Sequence, residues 1–298
     1  MPKDHNLARI LGLATALIWG LSFISIKTAV GEVPPMTLGL ARFVIAVAIL
    51  PLIALGMKQR LAVRWSDLPL LFFGGMVGYT LYFLGENNGV KLLSSSEASI
   101  LIGTIPVLTM LAERIFLRTR LHLRAYLGAA LSLVGVVFIV ARSGESSRGI
   151  AGWLFMGLAA ICWVGYAFLT RAVSGKQGQV TVAFWQSLFG LIGFIPFAIA
   201  ESGQWRMPSP VAWLNIAYLG VFCSALGYWF YITSNEILGP GGASVFINLI
   251  PVVSVIAGFA VLGDRLTAGQ WLGALVAIAG VWIATGTTRR RPPSTIPL

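Results

Sequence analysis

Charged residues are scarce in this chain of 298 residues. Asp, Glu, Lys and Arg together make up 10% of it, with ten acidic residues against 21 basic ones. A soluble domain carries about 25% charged residues, so this composition cannot cover a surface in water. Since 57% of the residues are hydrophobic and the mean hydropathy is +0.85, we expect the lipid bilayer to be the solvent. The predicted fold class is an all-α integral membrane protein.

Cysteine and histidine are also scarce, and few of the patterns that carry chemistry are present. The two cysteines lie inside apolar runs without a CxxC motif, which suggests neither a disulfide framework nor a zinc site. The HExxH, GxSxG and G-x-x-x-x-G-K-[ST] patterns are absent. We therefore expect no metal, no cofactor and no enzyme. An intramembrane enzyme and a membrane scaffold or signalling protein are the rival classes.

Apolar stretches long enough to cross a membrane follow one another along the whole chain. A helix needs about 20 apolar residues to span the hydrocarbon core. Turn-forming stretches such as "RSGESSRG" at 142–149 and "LGPGG" at 238–242 separate them. The ten predicted spans are 9–30, 36–57, 68–90, 95–116, 124–141, 150–171, 180–200, 211–235, 241–262 and 268–286.

The positive net charge of +11 has a topological explanation. With the N-terminus inside, 14 of the 21 basic residues fall in cytoplasmic segments and five in outer loops. Lys and Arg collect in cytoplasmic loops, so we predict a multi-pass protein of a bacterial-type inner membrane with both termini in the cytoplasm. No cleaved signal is expected at the N-terminus. The expected partners are the bilayer and a small-molecule substrate, not nucleic acid, and a monomer is compatible with the sequence.

The second half of the chain repeats the first. Residues 98–136 align with 243–281 without a gap at fifteen identities in thirty-nine positions, including Pro106 with Pro251. An odd number of spans in each half makes the second half enter the membrane inverted, an architecture of many transporters. We predict two inverted five-helix repeats, at 1–142 and 143–288, and a disordered basic tail at 289–298.

Several motifs resemble a known family. They are "ALIWGLSF", "ARFVIAV" and "SSSEASILIGTIPVLTMLAERIF" in the first half, with "AAICWVGYAF" and "GPGGASVFINLIPVVSVIAGFAVLGDRL" in the second. The chain is similar to the ten-helix EamA family of the drug/metabolite transporter (DMT) superfamily. The resemblance implies a permease for small metabolites, and the length and aromatic content resemble those of amino acid exporters, aromatic amino acids included. Other relatives move nucleotide sugars, sugar phosphates or purines.

Aromatic residues supply the candidate substrate site. Trp19 and Trp163 occupy matching mid-span positions at an offset of 144, where they line a cavity or fill space between helices. Tyr79 and Tyr82 share a helical face with Glu86, and span eight repeats this spacing. Such polar stripes point to a cavity or to hydrogen bonds between helices. The full set of predicted substrate-binding residues is Trp19, Tyr79, Tyr82, Trp163, Tyr166, Trp185, Tyr228, Tyr231 and Asn248.

Three charged residues within the spans are candidates for contact with the substrate or for coupling. Lys27 and Arg42 lie six to eight residues into the membrane, where a long side chain either snorkels to the interface or holds a substrate carboxylate. Glu86, near the outer end of its span, is the acid placed to carry a proton, or else it is an acid that is hydrated or hydrogen-bonded to Asn87. Two lone cations make a phosphorylated substrate the poorer interpretation.

Glycine and proline mark places where helices approach or bend. The ladder Gly12, Ala16, Gly20 in span one allows close packing, and Gly157, Ile161 and Gly165 form a looser ladder in span six. Pro106 and Pro251, at matching positions of the repeats, are candidate hinges. The resulting function hypothesis is a secondary exporter of amino acids that works by alternating access and facilitated diffusion. A proton-coupled drug or metabolite permease and a purine or sugar-phosphate permease are the alternatives.

Overall fold

The computed structural model describes residues 4–93, 95–118, 122–140, 150–257 and 268–286. The regular elements in these ranges are helices, which confirms the all-α fold class. In chain order they are α1 (His5–Val30), α2 (Pro35–Gly56), α3 (Leu68–Gly75), α4 (Tyr82–Leu92), α5 (Ser95–Phe116), α6 (Leu123–Val140), α7 (Ile150–Ser174), α8 (Gln179–Ala200), α9 (Pro210–Tyr218), α10 (Gly227–Ser244), α11 (Leu249–Ala257) and α12 (Ala268–Gly286). The predicted domain boundary at 142 and 143 and the tail at 289–298 lie outside these ranges.

The third helix of each half contains a π-helical segment. Met76–Leu81 joins α3 to α4, and Leu219–Leu226 joins α9 to α10. π-helical turns are rare and recur at functional sites. Tyr79 lies within the first segment and Tyr228 two residues after the end of the second, so both segments shape the centre of the molecule.

A kink at Gly239 separates two helices within α10. Its φ of 83° and ψ of 166° lie in a region that side chains disfavour, and glycine, which has no Cβ, tolerates it. The following residue, Pro240, cannot donate a backbone hydrogen bond and suits the start of a helix. This break lies within the "LGPGG" turn that the sequence predicts. A 3₁₀ turn, Val245–Asn248, then leads into α11.

The exposed face of α1 shows which solvent surrounds the helices. Leu7, Ile10, Leu13, Leu17 and Leu21 are between 42% and 62% exposed and recur every three or four residues, on one side of the helix. An apolar stripe of this length would aggregate in water, whereas lipid solvates it.

Hydropathy gives the same result. Six helical stretches are long and apolar enough to cross a membrane, and Leu123–Phe138 and Trp271–Ala284 are shorter apolar helices. The protein is therefore a multi-pass membrane protein. The exact count of ten spans stays a prediction.

Two close glycine contacts join α6 to α12. A Cβ on Gly128 would lie 2.6 Å from the carbonyl oxygen of Gly280, and one on Gly135 would lie 2.6 Å from that of Gly273. The numbering rises along α6 while it falls along α12, so the two helices are antiparallel. The same four glycines are paired by the sequence repeat, Gly128 with Gly273 and Gly135 with Gly280. The last helices of the halves thus run in opposite directions, as inverted repeats require.

The two halves interlock through reciprocal helix pairs. α1 packs on α10 and α11, and its counterpart α7 packs on α3 and α4, while α2 packs on α8. The ladder of α1 is used as predicted, since a Cβ on Gly12 would meet Phe246. The looser ladder of α7 is not. Gly157 has no neighbour within 4 Å of an added Cβ and Ile161 is 69% exposed, because this face of α7 points away from the bundle.

Candidate functional site

The two mid-span tryptophans meet at the centre of the molecule. The rings of Trp19 and Trp163 are 5.2 Å apart between centroids, in an edge-to-face arrangement with planes at 87°. Such edge-to-face pairs contribute about 0.5–1.5 kcal/mol beyond their burial. Both indoles are buried, and they bring the first helix of one half against the first helix of the other.

Five tyrosines surround the indole pair. Tyr79 stacks on Tyr228 at 4.4 Å between centroids, and these are related positions of the two repeats. Trp163 contacts Tyr82 at 5.1 Å and Tyr231 at 4.9 Å. Tyr166, also fully buried, lies 5.3 Å from Trp163. We call Trp19, Trp163, Tyr79, Tyr82, Tyr166, Tyr228 and Tyr231 the aromatic cluster; these are seven of the nine predicted substrate-binding residues.

The two indole N–H groups have different surroundings. Nε1 of Trp19 donates a hydrogen bond of 3.0 Å to the carbonyl of Cys223, within the second π-helical segment. Nε1 of Trp163 is buried and approaches the hydroxyl of Tyr231, but it makes no well-formed hydrogen bond in the described part of the chain. A buried N–H without a partner is unusual, so the Trp163 group is the one available to a polar solute.

A cavity lies on one side of the aromatic cluster. The space open to the centres of water molecules is about 30 Å³, enough for one or two waters. Its wall combines aromatic and aliphatic side chains with a few polar groups, and it is formed by both halves of the chain. The lining residues are Trp19, Ser22, Phe23, Ile26, Arg42, Tyr82, Phe83, Glu86, Ile102, Ile105, Trp163, Tyr228, Ile247 and Ile250.

Arg42 is a buried cation in this wall, with 2% of its surface exposed. Its Nε donates a hydrogen bond of 2.7 Å to Ser224 Oγ, and its guanidinium carbon lies 4.5 Å from the ring centroid of Phe83. The ring contact is a cation–π interaction. Nη1 is buried, and no residue in the described ranges forms a hydrogen bond with it. The side chain therefore does not snorkel to the interface.

Glu86 is a buried acid in the same wall, 6% exposed. The hydroxyl of Tyr82, one helical turn away, donates a hydrogen bond of 2.7 Å to its Oε1. The shared helical face that the sequence predicts for these two residues is thus used for a direct contact. The neighbouring Asn87 faces elsewhere, donating to the carbonyl of Pro35 at 2.8 Å.

The other predicted residues lie away from the cavity. Lys27 is exposed on α1. Trp185 is half-buried and donates to the carbonyl of Leu61 at 2.7 Å, which fixes the loop after α2. Asn248 is fully buried beside the cavity residue Ile247, but its side chain is not in the wall.

The two candidate hinge prolines lie in different surroundings. Pro106 lies inside the continuous helix α5. Pro251 lies in the first turn of α11, directly after the 3₁₀ turn Val245–Asn248. The backbone departs from a regular α-helix at Gly239 and in the turn before Pro251, whereas α5 is continuous around Pro106.

Loop contacts missed by the sequence interpretation join the halves at both ends of the bundle. At the end we call the Glu32 end, Glu32 accepts hydrogen bonds from the backbone and hydroxyl of Ser209, at 2.7 and 2.8 Å. Glu201 accepts from the backbone of Met36 and from the backbone and hydroxyl of Thr37. Carboxylates at these helix starts accept hydrogen bonds from free backbone N–H groups and interact favourably with the positive end of the helix dipole.

At the opposite end, which we call the Asp67 end, Gln177 donates to Asp67 at 2.6 Å and Thr181 donates to the carbonyl of Arg60 at 3.0 Å. Gln177 lies 145 positions after Glu32, close to the repeat offset. The same loops of the two halves thus meet at opposite ends. Spacing within one helix cannot reveal such contacts, because they join loops distant in sequence.

A charged network closes the Asp67 end. Arg171 at the end of α7 donates to the carbonyls of Asn235 and Glu236, just before the kink in α10. Gln179 Nε2 donates to Glu236 Oε2 at 2.7 Å, and Glu113 accepts from the backbone of Gly241 at 3.2 Å, just after the kink. The cation thus caps one helix end and the acid caps the next helix start.

Hydrogen bonding affects the pKa of Glu32 more than burial does. Glu32 is exposed, and the hydrogen bonds from the Ser209 backbone and then its hydroxyl lower the pKa of the Glu32 carboxyl below its ordinary value of 4.5.

No group of three His, Cys, Asp or Glu side chains able to hold a metal ion occurs among the described residues.

Comparison with known proteins assigns the family. Residues 6–141 and 150–286 each match the EamA-like transporter family, which confirms the resemblance predicted from sequence. A solved crystal structure superposes with a TM-score of 0.76 at 20% identity, over 95% of this chain and 97% of that chain, and has the same fold.

Two curated relatives align over nearly their whole length. A protein of Archaeoglobus fulgidus described as an uncharacterized transporter is 29% identical, over 90% of this chain and 95% of its own. A probable terminal-alkyne amino-acid exporter of Streptantibioticus cattleyicolor is 26% identical, over 94% of this chain and 95% of its own.

Proposed function

Because this chain belongs to the EamA-like transporter family, we propose that it is a secondary exporter of amino acids, aromatic ones among them. The observation that carries this proposal is the cavity beside the aromatic cluster. Both halves contribute to it, its wall is largely apolar, and it contains one cation and one anion. Ligand sites of small molecules typically combine an apolar wall with a few polar groups that fix orientation. The amino-acid exporter among the relatives agrees with this substrate class.

Alternating access follows from the inverted arrangement. The halves rock about the aromatic cluster, which sits where their first and third helices meet. Opening the Asp67 end requires breaking the network around Arg171, and opening the Glu32 end requires releasing Glu32 and Glu201. The kink at Gly239 and the irregular backbone before Pro251 are where α10 and α11 bend.

Transport is facilitated diffusion in the leading proposal, since the sequence has no ATP-binding motif. A proton-coupled permease is the second candidate. Glu86 favours it, because a buried acid in the wall of a cavity is a usual site for a transported proton. Purine and sugar-phosphate transport remain alternative substrate classes, and the single cation in the described wall supports them less.

The membrane context completes the proposal. The protein acts in a bacterial-type inner membrane with both termini in the cytoplasm, so the Asp67 end faces the cytoplasm and the Glu32 end faces outward. It works as a monomer, without cofactor or nucleic acid, and has no enzymatic activity.

Counterflow in proteoliposomes tests the function. Vesicles preloaded with unlabelled phenylalanine, leucine, threonine, adenine or glucose 6-phosphate receive the same labelled solute, with and without a pH gradient. We expect counterflow of amino acids that is independent of the gradient. Gradient-dependent uptake that Glu86→Gln abolishes would replace facilitated diffusion by proton coupling.

A pair of tryptophan variants links the flux to the cavity. Trp163→Ala opens the wall and should abolish counterflow, whereas Trp213→Ala, on the exposed surface of α9, should retain it. No flux of any amino acid, or flux of the sugar phosphate or adenine alone, contradicts the proposal.

A further inference from the structure

We infer that Arg42 and Glu86 form a site for a zwitterion, in which Arg42 binds the carboxylate and Glu86 the ammonium group of the same solute. This deepens the proposed function and rests on it, since it presumes that the cavity holds the transported molecule. It defines the substrate class by its two charged groups, while the side chain of the solute lies against the apolar wall.

Arg42 has an unfilled capacity for an anion. A guanidinium has five N–H donors in a planar fork that matches a carboxylate. Here one donor is used on the neutral hydroxyl of Ser224, and the buried Nη1 has no hydrogen-bond partner among the described residues. Buried charges are ordinarily paired, because transfer of an unpaired ion out of water is costly. A carboxylate in the cavity would supply the missing partner.

Glu86 has the complementary capacity for a cation. Tyr82 occupies one carboxylate oxygen, and a carboxylate can accept about four hydrogen bonds. Trp19 and Trp163 line the same cavity, and aromatic rings attract an ammonium group through their electron-rich faces. An ammonium group in the cavity therefore meets an anion and two indoles.

The two charges interact electrostatically across the cavity, but they form no direct hydrogen bond to each other among the described residues. Each has a neutral hydroxyl as its hydrogen-bond partner, Ser224 for Arg42 and Tyr82 for Glu86, and no ion pair joins the two in the described structure. Two opposite charges in one small cavity would be stabilised by pairing, because the Coulomb attraction is strong where little water screens it. Keeping them separate suits a ligand that carries both signs, because an anion or a cation alone would satisfy one and leave the other buried.

The charge pair is present in the first repeat and is replaced by neutral residues in the second. At the offset of 144 that relates Trp19 to Trp163, Arg42 corresponds to Gln186, and Glu86 corresponds to Asn235 in the repeated tyrosine stripe. Both counterparts are neutral and already bonded to the protein: Gln186 to Thr170, and Asn235 to the carbonyl of Ala167. Symmetry of the fold does not demand the charges, so their presence reflects what the cavity binds.

The apolar wall sets the rest of the specificity. Ile102 and Ile105 of the first half and Ile247 and Ile250 of the second line the cavity. Such a wall offers no hydrogen bonds to a polar side chain. The preferred solutes are α-amino acids with aliphatic or aromatic side chains.

An analogue series tests the inference on the whole protein. Phenylalanine, phenylethylamine (which lacks the carboxylate) and 3-phenylpropionate (which lacks the ammonium group) compete with labelled phenylalanine in counterflow. Hydrogen bonds to charged groups make phenylalanine the better competitor over each analogue by about tenfold or more. Equal competition by the three compounds overturns the inference while leaving the proposed function intact, whereas absence of phenylalanine flux overturns the proposed function itself.

Variants assign each charge to its group. Arg42→Gln should reduce the preference for phenylalanine over phenylethylamine by about tenfold or more and leave the preference over 3-phenylpropionate. Glu86→Gln should do the reverse. Lys27→Gln removes the same charge from the exposed surface of α1 and should change neither ratio.

A structural role for Arg42 is distinguished from binding by two further variants. Arg42→Lys keeps the charge and should keep part of the carboxylate preference. Ser224→Ala removes the hydroxyl that positions the guanidinium, so it should weaken the same preference by a smaller factor. Unchanged preferences in Arg42→Gln, or loss of both preferences together in every variant, contradict the assignment.

Discussion

The indole of Trp19 donates a hydrogen bond to the backbone carbonyl of Cys223, across the contact between the two halves, at 3.0 Å. Its counterpart in the repeat, Trp163, makes no such bond. The two related tryptophans therefore differ: the N–H of Trp19 joins the two halves, whereas the N–H of Trp163 has no well-formed hydrogen bond in the described structure.

This asymmetry predicts opposite consequences for two identical substitutions. Trp19→Phe removes the donor to Cys223 and should lower the free energy of unfolding by about 0.5–1.5 kcal/mol. Trp163→Phe removes a donor that has no well-formed hydrogen bond to the described residues, so it should cost less stability than Trp19→Phe and raise the KM for amino acid counterflow. Thermal unfolding in detergent and initial counterflow rates measure the two effects. Equal stability losses in both variants would contradict the assignment.

The contact of α6 with α12 predicts a strong size limit at Gly128. A Cβ there would lie 2.5 Å from the backbone nitrogen of Ala284 and 2.6 Å from the carbonyl of Gly280, neither of which can rotate away. Gly128→Ala should lower stability by about 1–3 kcal/mol through overpacking. The matched control is Gly157→Ala, where nothing lies within 4 Å and no loss is expected. Chemical or thermal denaturation of the two variants, compared side by side, checks this.

The network at the Asp67 end predicts a conformational effect of Arg171. Its hydrogen bonds to Asn235 and Glu236 hold this end closed, so Arg171→Gln should raise the population of the state open at that end by about tenfold. A cysteine at the buried position Ser234, in a background without the two native cysteines, should then react faster with a soluble maleimide. Lys176→Gln, exposed at the same end, serves as the control and should leave the labelling rate unchanged.

The Glu32–Ser209 contact predicts a pH dependence with a defined sign. The lowered pKa of Glu32 means that the unfolded state takes up this proton first as pH falls. Its contribution is complete above pH 4.5, shrinks as pH falls below that value and is lost below the folded pKa. The difference in melting temperature between the wild type and Glu32→Gln should follow this curve. A difference that stays constant from pH 7 to pH 3.5 would contradict it.

Much of the site was predictable from periodicity and repetition. The spacing of Tyr79, Tyr82 and Glu86 places them on one face, and the structure has Tyr82 bonded to Glu86. The offset between Trp19 and Trp163 predicts related positions, and the structure brings the two rings together. These predictions rest on local geometry or on the repeat, which a single sequence contains.

The remaining parts of the site were not predictable in this way. Lys27 and Arg42 have similar depths in sequence, yet one is exposed and the other is buried in the cavity wall, because depth along a helix does not specify which neighbour its face meets. Ser224, which holds Arg42, has no local signal and lies 182 residues away in the chain.

Composition and periodicity by themselves determined that this chain is an α-helical membrane protein with a repeated architecture, because helical backbones satisfy their own hydrogen bonds in lipid and the apolar runs match its thickness. Tertiary packing alone decided which polar groups meet. Helix rotation and the antiparallel docking of the halves put Arg42 and Glu86 beside one cavity and gave Trp19, but not Trp163, a backbone acceptor, and contacts of that kind depend on residues far apart in the chain.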